Sequence, residues 1–218
     1  MKKRLVIIGN SGAARECYWL AKDCIDAGAD MEFKGFLSLE GYQGQLHELS
    51  EYFLGVDDAY TPAQDDVFVI GVGVPALRRK AFLKWKSRRV KFVNLVHPRT
   101  QLIGKISLGQ ANILSCDSYI SCNTTVGDAN YLNGSVVIGH DTTIGNYNFF
   151  APFSIVLGGA VVGSENTFGV HSVLFAHAKI GNSNKIAPGS YVYKGCGNAK
   201  VMMGNPALVM GDAEELQG

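Results

Sequence analysis

The sequence has no cysteine pair at metal-binding spacing. Its five cysteines, Cys17, Cys24, Cys116, Cys122 and Cys196, are odd in number and scattered, with no CxxC. Neither a disulfide framework nor a metal site is expected, and the thiols read as free in a reducing cytoplasm. Long apolar runs are missing too, so no membrane span is expected. The start, "MKKRLVIIGNSG", puts charges ahead of an apolar stretch that lasts only from Leu5 to Ile8, too short for a secretion signal. Charge of one sign is also lacking. Twenty Lys and Arg against 19 Asp and Glu leave +1, which gives no general pull toward nucleic acid or membrane. What is abundant is glycine, 26 residues without a collagen period, so a turn-rich globular protein is expected.

A chain of 218 residues has room for one large domain or two small ones. The first ninety or so residues alternate strand-like and helix-like segments. "KRLVIIG" is an apolar run ending at a glycine, as buried parallel strands do. Residues 14–28 carry apolar side chains at helical spacing and stop at Gly28. "EFKGFLS" reads as a second strand, "DVFVIGVG" as a third and "VKFVNLV" as a fourth. Between the last two, "PALRRKAFLKWKSR" has Pro75 well placed to open a helix. This alternation predicts a small α/β, Rossmann-like parallel sheet over 1–97, and His97-Pro98 marks a junction.

Beyond Pro98 a period of six takes over. Every sixth residue from Leu102 to Val192 is apolar, without an insertion. Two residues before these anchors sits a Ser, Thr, Asn or Ala, except at Ile106 and Val136, and glycine often follows the anchor. This is the pattern of a parallel β-helix in which three hexapeptides make one triangular coil. The coils are expected over 98–197, each strand burying its anchor, with 198–218 a terminal cap or tail.

The register gives "SVVIGHDTTIG" a geometry. Ile138 is the anchor, so His140 occupies a slot that projects outward. Residues eighteen apart stack at the strand spacing of about 4.8 Å. The column through His140 therefore reads Cys122, His140, Gly158, Ala176, with a bare strip beyond the histidine. A histidine beside exposed amides can take a proton while N–H groups steady an oxyanion. The alternative is a surface histidine with no role. Asp141 points another way unless the backbone turns there; its carboxylate could polarise a histidine, one on a neighbouring chain included. His171 and His177 read as interface or solvent residues, and Cys122 has no basic neighbour to activate it. In the first half, "GNSGAAR" is a strand-to-helix turn whose backbone, through Gly9, Asn10, Ser11 and Gly12, could cradle phosphate. "IGVG", with Gly71 and Gly73, ends a strand at the same sheet edge. As a dinucleotide fingerprint the loop is incomplete, since Ser11 and Ala14 stand where glycines are needed. Binding of a nucleotide sugar across both loops is the preferred reading, and binding of NAD the alternative.

The whole chain resembles the sugar acetyltransferases of the sialic acid O-acetyltransferase and bacillosamine N-acetyltransferase group. The segments that carry the resemblance are "VIIGNSGAARECYWLA", "FVIGVGVPALRRK", "FVNLVHPRT", "VVIGHDTTIG" and the terminal "GNPAL". The resemblance implies a Rossmann-like domain joined to a left-handed β-helix, assembly as a homotrimer, and acetyl-CoA as co-substrate. It implies His140 as general base, Asp141 as its acidic partner, and Gly158 as the amide that meets the thioester. A later coenzyme-binding glycine falls on Pro188, which lacks an N–H, leaving Gly189 beside it. A histidine that touches the acceptor in relatives corresponds to Phe149. Paired aspartates of uridine-binding relatives are replaced by Ser38 and Leu39, and a histidine or phenylalanine of the first loop by Ala13. The expected function is N-acetylation of a nucleotide-linked 4-amino sugar in bacterial surface-glycan synthesis. O-acetylation of a sialic acid or other sugar hydroxyl, and a non-catalytic sugar-nucleotide-binding scaffold, are the alternatives.

Overall fold

The computed structural model describes residues 2–42 and 44–212. The first unit is built on a parallel sheet of five strands: β1 (Lys3–Ile8), β2 (Met31–Ser38), β3 (Phe53–Val56), β4 (Asp66–Ile70) and β5 (Lys91–Phe92). Their spatial order is β3-β2-β1-β4-β5, so the chain reverses direction of winding beside β1. Helix α1 (Gly12–Asp26) follows β1, and α2 (Pro75–Ser87) follows β4 with Pro75 at its first turn. Gly28 ends α1 at φ 98°, where its N–H donates to the Ile25 carbonyl. The four-residue edge strand β3 was not visible in the sequence, because "FLGV" is short and half-exposed on the sheet margin.

The segment "VKFVNLV" is not one strand. Lys91–Phe92 close the first sheet, whereas β6 (Leu95–Val96) already belongs to the coils, pairing with Ile113–Leu114. From there the chain winds as a left-handed parallel β-helix with three sheets. The first sheet runs through β6, 113–114, 131–132 and onward, the second from 101–102, and the third from 106–108. Partners such as Tyr119 and Val137, or Thr125 and Thr143, stand one coil apart, as the eighteen-residue stack requires. Each corner from Ala111 to Gly189 holds one residue at φ between 52° and 69°. Anchors from Leu114 to Val192 are buried. Leu102 is an exception at 41% exposed, because no earlier coil lies beneath it on the second sheet. The last coil is short: Lys185 pairs with Val201 and Ile180 with Cys196. The chain then forms an antiparallel hairpin of strands Lys200–Gly204 and Ala207–Asp212.

The small residues before the anchors face inward at the corners. Where they are asparagine they form a buried ladder through Asn112, Asn130, Asn148, Asn166 and Asn184. Each side-chain oxygen accepts the next asparagine's backbone N–H at 2.8–2.9 Å. Each amide nitrogen, up to Asn166, donates to a glycine carbonyl on the following corner at 2.8–2.9 Å. Polar corners are thereby satisfied without water.

The first unit is docked on the first sheet. Cys17, Leu20, Ala21 and Cys24 of α1 pack against Leu95, Ile113 and Tyr131, and burial pushes the Cys17 thiol up to about 12. Beside them Arg78 is fully buried. Its Nη1 donates to the carbonyls of Ile70 (2.6 Å) and Val72 (2.8 Å), its Nη2 reaches the Asn130 carbonyl (3.2 Å), and its Nε the Ala129 carbonyl at 2.5 Å. The guanidinium thus ties the end of β4 to a corner of the coils.

Candidate active site

His140 lies on the corner between the second and third sheets, following the strand Val137–Ile138. Asp141 takes the corner conformation, φ 56°, and this turns its carboxylate back along the chain. His140 Nδ1 is 2.7 Å from Asp141 Oδ2. The carboxylate thus meets the histidine of its own chain, one residue back. Asn123, one coil earlier, donates to Asp141 Oδ1 at 3.2 Å. The hydrogen bond from His140, with that from Asn123, holds the Asp141 carboxyl below its usual value of 3.8. An ionised Asp141 accepts a hydrogen bond from the Nδ1–H, which leaves Nε2 as the basic nitrogen. Both side chains remain open to solvent, 62% and 57% exposed.

Gly158 lies directly under the ring. A Cβ at this position would fall 2.6 Å from His140 Nε2 and 2.7 Å from Cε1, so any side chain would displace the imidazole. The Gly158 N–H has no hydrogen-bond partner among the described residues, whereas the next amide, Gly159, donates to the His140 carbonyl at 2.8 Å. Nε2 and a free amide thus stand side by side, a base and an oxyanion donor.

The loop residues of the first unit gather elsewhere. Gly9, Asn10, Ser11 and Gly73 line a cleft of about 190 Å³ walled by Leu39, Tyr42 and Leu77. It opens at the carboxyl ends of β1, β2 and β4, the switch point of the sheet. Gly9 takes φ 133°, and a Cβ there would meet the Gly71 carbonyl at 2.4 Å. Two of the expected loop residues do not line this cleft. Gly12 opens α1, and Gly71 backs onto Ile7 and Ala14, where its missing Cβ lets the helix approach the sheet. Phe149 is on the first sheet, edge-on to Tyr131 and close to Gly73. It belongs to the cleft side of the coil, not to the His140 corner. Gly189 turns the corner between the first and second sheets at φ 65° with open space around it. One chain therefore does not bring Gly189 or the cleft to His140, since the first sheet lies opposite the His140 corner in the triangular coil.

Sequence reasoning missed Arg78, although a signal existed. Arg78 stands at helical spacing with Ala81, Phe82 and Trp85, all buried, so it was on the inward stripe of α2 despite its charge. Among the described residues no group of three or more His, Cys, Asp or Glu could hold a metal ion, and no helix is long and apolar enough to cross a membrane.

No family model and no curated protein matches the chain. Solved structures do. PerB from Caulobacter crescentus, crystallised with CoA and GDP-perosamine, is 21% identical over 97% of this chain and 99% of that one, with a TM-score of 0.84. The acetyltransferase domain of PglB from Neisseria gonorrhoeae is 16% identical over 95% of this chain and 100% of that one, TM-score 0.84. WeeI from Acinetobacter baumannii is 19% identical over 95% and 100%, TM-score 0.74. The likeness runs the length of both chains in each case and establishes a shared fold of α/β unit and left-handed β-helix.

Proposed function

We propose that the protein is an acetyl-CoA-dependent N-acetyltransferase for a nucleotide-linked amino sugar, with His140 as general base. The observation that carries this reading is the corner itself: an Asp141-oriented imidazole whose Nε2 overlies Gly158, beside an amide with no other partner among the described residues. Nothing at the corner resembles an activated nucleophile, so the amine attacks the thioester carbonyl directly. His140 Nε2 takes the amine proton, Asp141 stabilises the imidazolium, and the Gly158 N–H steadies the tetrahedral oxyanion. That PerB, of the same fold, was crystallised with both CoA and GDP-perosamine supports the pairing of co-substrate and acceptor.

The first unit, which ends with β5, is the acceptor-binding domain in this reading, with the Gly9 to Ser11 and Gly73 cleft taking the nucleotide sugar. The coils, which begin at β6, carry the chemistry, and the hairpin of Lys200–Gly204 and Ala207–Asp212 caps them, residues 213–218 of the expected cap lying outside the described residues. Assembly as a homotrimer is supported by two features. The outer face of the second sheet is apolar, built from Tyr119, Val137, Ile155, Val173 and Tyr191, a surface suited to a second copy. In addition, the cleft and His140 lie on opposite sides of one coil, so the acceptor held by one protomer would be served by its neighbour's base, with acetyl-CoA in the groove between them. Five free cysteines fit a cytoplasmic enzyme.

The test is turnover with acetyl-CoA and GDP-, UDP- and dTDP-linked 4-amino sugars. His140→Ala should lower kcat by roughly 10²- to 10⁴-fold, the range for loss of a general base, without unfolding the chain. Wild-type turnover in that variant, or no transfer by the native protein to any of the three, overturns the assignment.

A further inference from the structure

A second histidine closes on the same glycine pair from the other side. The corner column after Asn123 and Asp141 continues with Gly159 and His177. Gly159 has φ 69°, and a Cβ there would fall 2.3 Å from His177 Nδ1 and 2.7 Å from Cε1. The two imidazoles therefore lean over adjacent glycines, His140 from the coil before and His177 from the coil after. The backbone N–H of His177 donates to the Gly158 carbonyl at 3.0 Å, which ties its position to the oxyanion glycine itself. Neither ring nitrogen has a hydrogen-bond partner among the described residues, and the side chain is exposed. His171 shows that the slot alone does not impose this pose. One hexapeptide earlier, at the next corner, its ring stacks on Phe153 with centroids 4.9 Å apart and planes within 8°.

We propose that His177 is a second functional histidine of the transfer, placed to hydrogen-bond the sulfur of the acyl donor as it leaves. The inference rests on the acetyl-CoA reading above. As the acceptor nitrogen bonds to the carbonyl carbon, its proton passes to His140 Nε2. When the intermediate collapses the C–S bond breaks and the electron pair goes to sulfur. With the attacking amine on the side of the base, the sulfur departs toward the later coil, where the His177 ring lies. A ring N–H there stabilises the thiolate, which takes a proton from solvent to end as the free thiol, while the proton on His140 is released to solvent, so that one proton enters for each that leaves. Amine and thioester become amide and thiol with no oxidant or reductant involved.

The experiment compares His177→Ala and His177→Gln with the native enzyme. It uses steady-state kinetics in each substrate, calorimetric titration with CoA alone, and thermal melting. His177→Ala should lose roughly 10- to 100-fold in kcat/KM for acetyl-CoA, the scale of one hydrogen bond to a charged group. Its KM for the amino sugar and its Tm should be unchanged. His177→Gln, which keeps an N–H donor, should recover part of the loss. Native kcat/KM for acetyl-CoA in His177→Ala overturns the inference alone. A loss matched by the KM of the amino sugar or by Tm assigns His177 a structural role and overturns it as well. A native protein that binds no CoA overturns this inference and the proposed function together.

Discussion

Two corners of the same coil have nearly the same backbone and opposite fates. Between the third and first sheets, each outward slot is filled by a side chain that caps the amide of the coil before. Gln110 N–H donates to Asp128, Asp128 to Asn146, Asn146 to Ser164, Ser164 to Asn182, and Asn182 to Asn198, all at 2.7–3.0 Å. This corner is also where α2 leans, through Arg78 onto the Ala129 carbonyl and Phe82 onto Tyr147. Between the second and third sheets the equivalent column is Cys122, His140, Gly158 and Ala176, and the amide under His140 is left open. A repetitive fold can satisfy every corner, as the first of these shows. An uncapped corner with a histidine over it is therefore where a ligand's oxygen can be received.

That contrast can be broken from either side. The largest effect is expected from Gly158→Ala on the open corner. The added methyl must push the imidazole aside, and kcat should fall by about 10²-fold or more, while the denaturation midpoint stays near that of the native protein. Arg78→Met on the capped corner should do the reverse. It removes the buried donor shared by five carbonyls, those of Ile70, Val72, Ala111, Ala129 and Asn130, and should cost roughly 3–5 kcal/mol of stability, read by urea titration. The chemistry at His140, measured per folded molecule, should survive better than in Gly158→Ala.

The smallest effect lies in the first unit. Burial pushes the Asp66 carboxyl up, but hydrogen bonds from Lys34, Tyr60 and the Ala63 N–H outweigh it and hold the group below 3.8. Its contribution to stability is thus complete above the unfolded value and is lost as pH falls through the lower folded one. The urea midpoint of the native protein should drop below about pH 3.8 more steeply than that of Asp66→Asn, so the two curves converge in acid.

The coils were legible because their period is local. One apolar anchor in six, with small residues at the turns, defines strand, corner and outward slot together, and the eighteen-residue stack then sets Gly158 beside His140. The first unit was less legible. Strand β3 is too short to show a period, and "VKFVNLV" reads as one strand although it serves two sheets. Gly71 looked like a loop glycine of the cleft but is spent on letting α1 approach β1 and β4. The same holds for charge: helical spacing puts Arg78, unlike Arg79 and Lys80, on the inward stripe of α2, but the carbonyls that receive its guanidinium are assembled only by packing against the coils.

By itself, then, the sequence determined the repeat, the register and the outward direction of His140, because each follows from periodicity along the chain. The tertiary structure alone decided that Asp141 turns back onto the same chain's histidine, that the Gly158 amide is uncapped, and that His177 leans over Gly159. It also decided that the cleft faces away from the base of its own coil. Those outcomes depend on corner dihedrals, on side chains one coil away and on how two units dock. Such contacts form between residues that are distant in the chain and carry no period of their own.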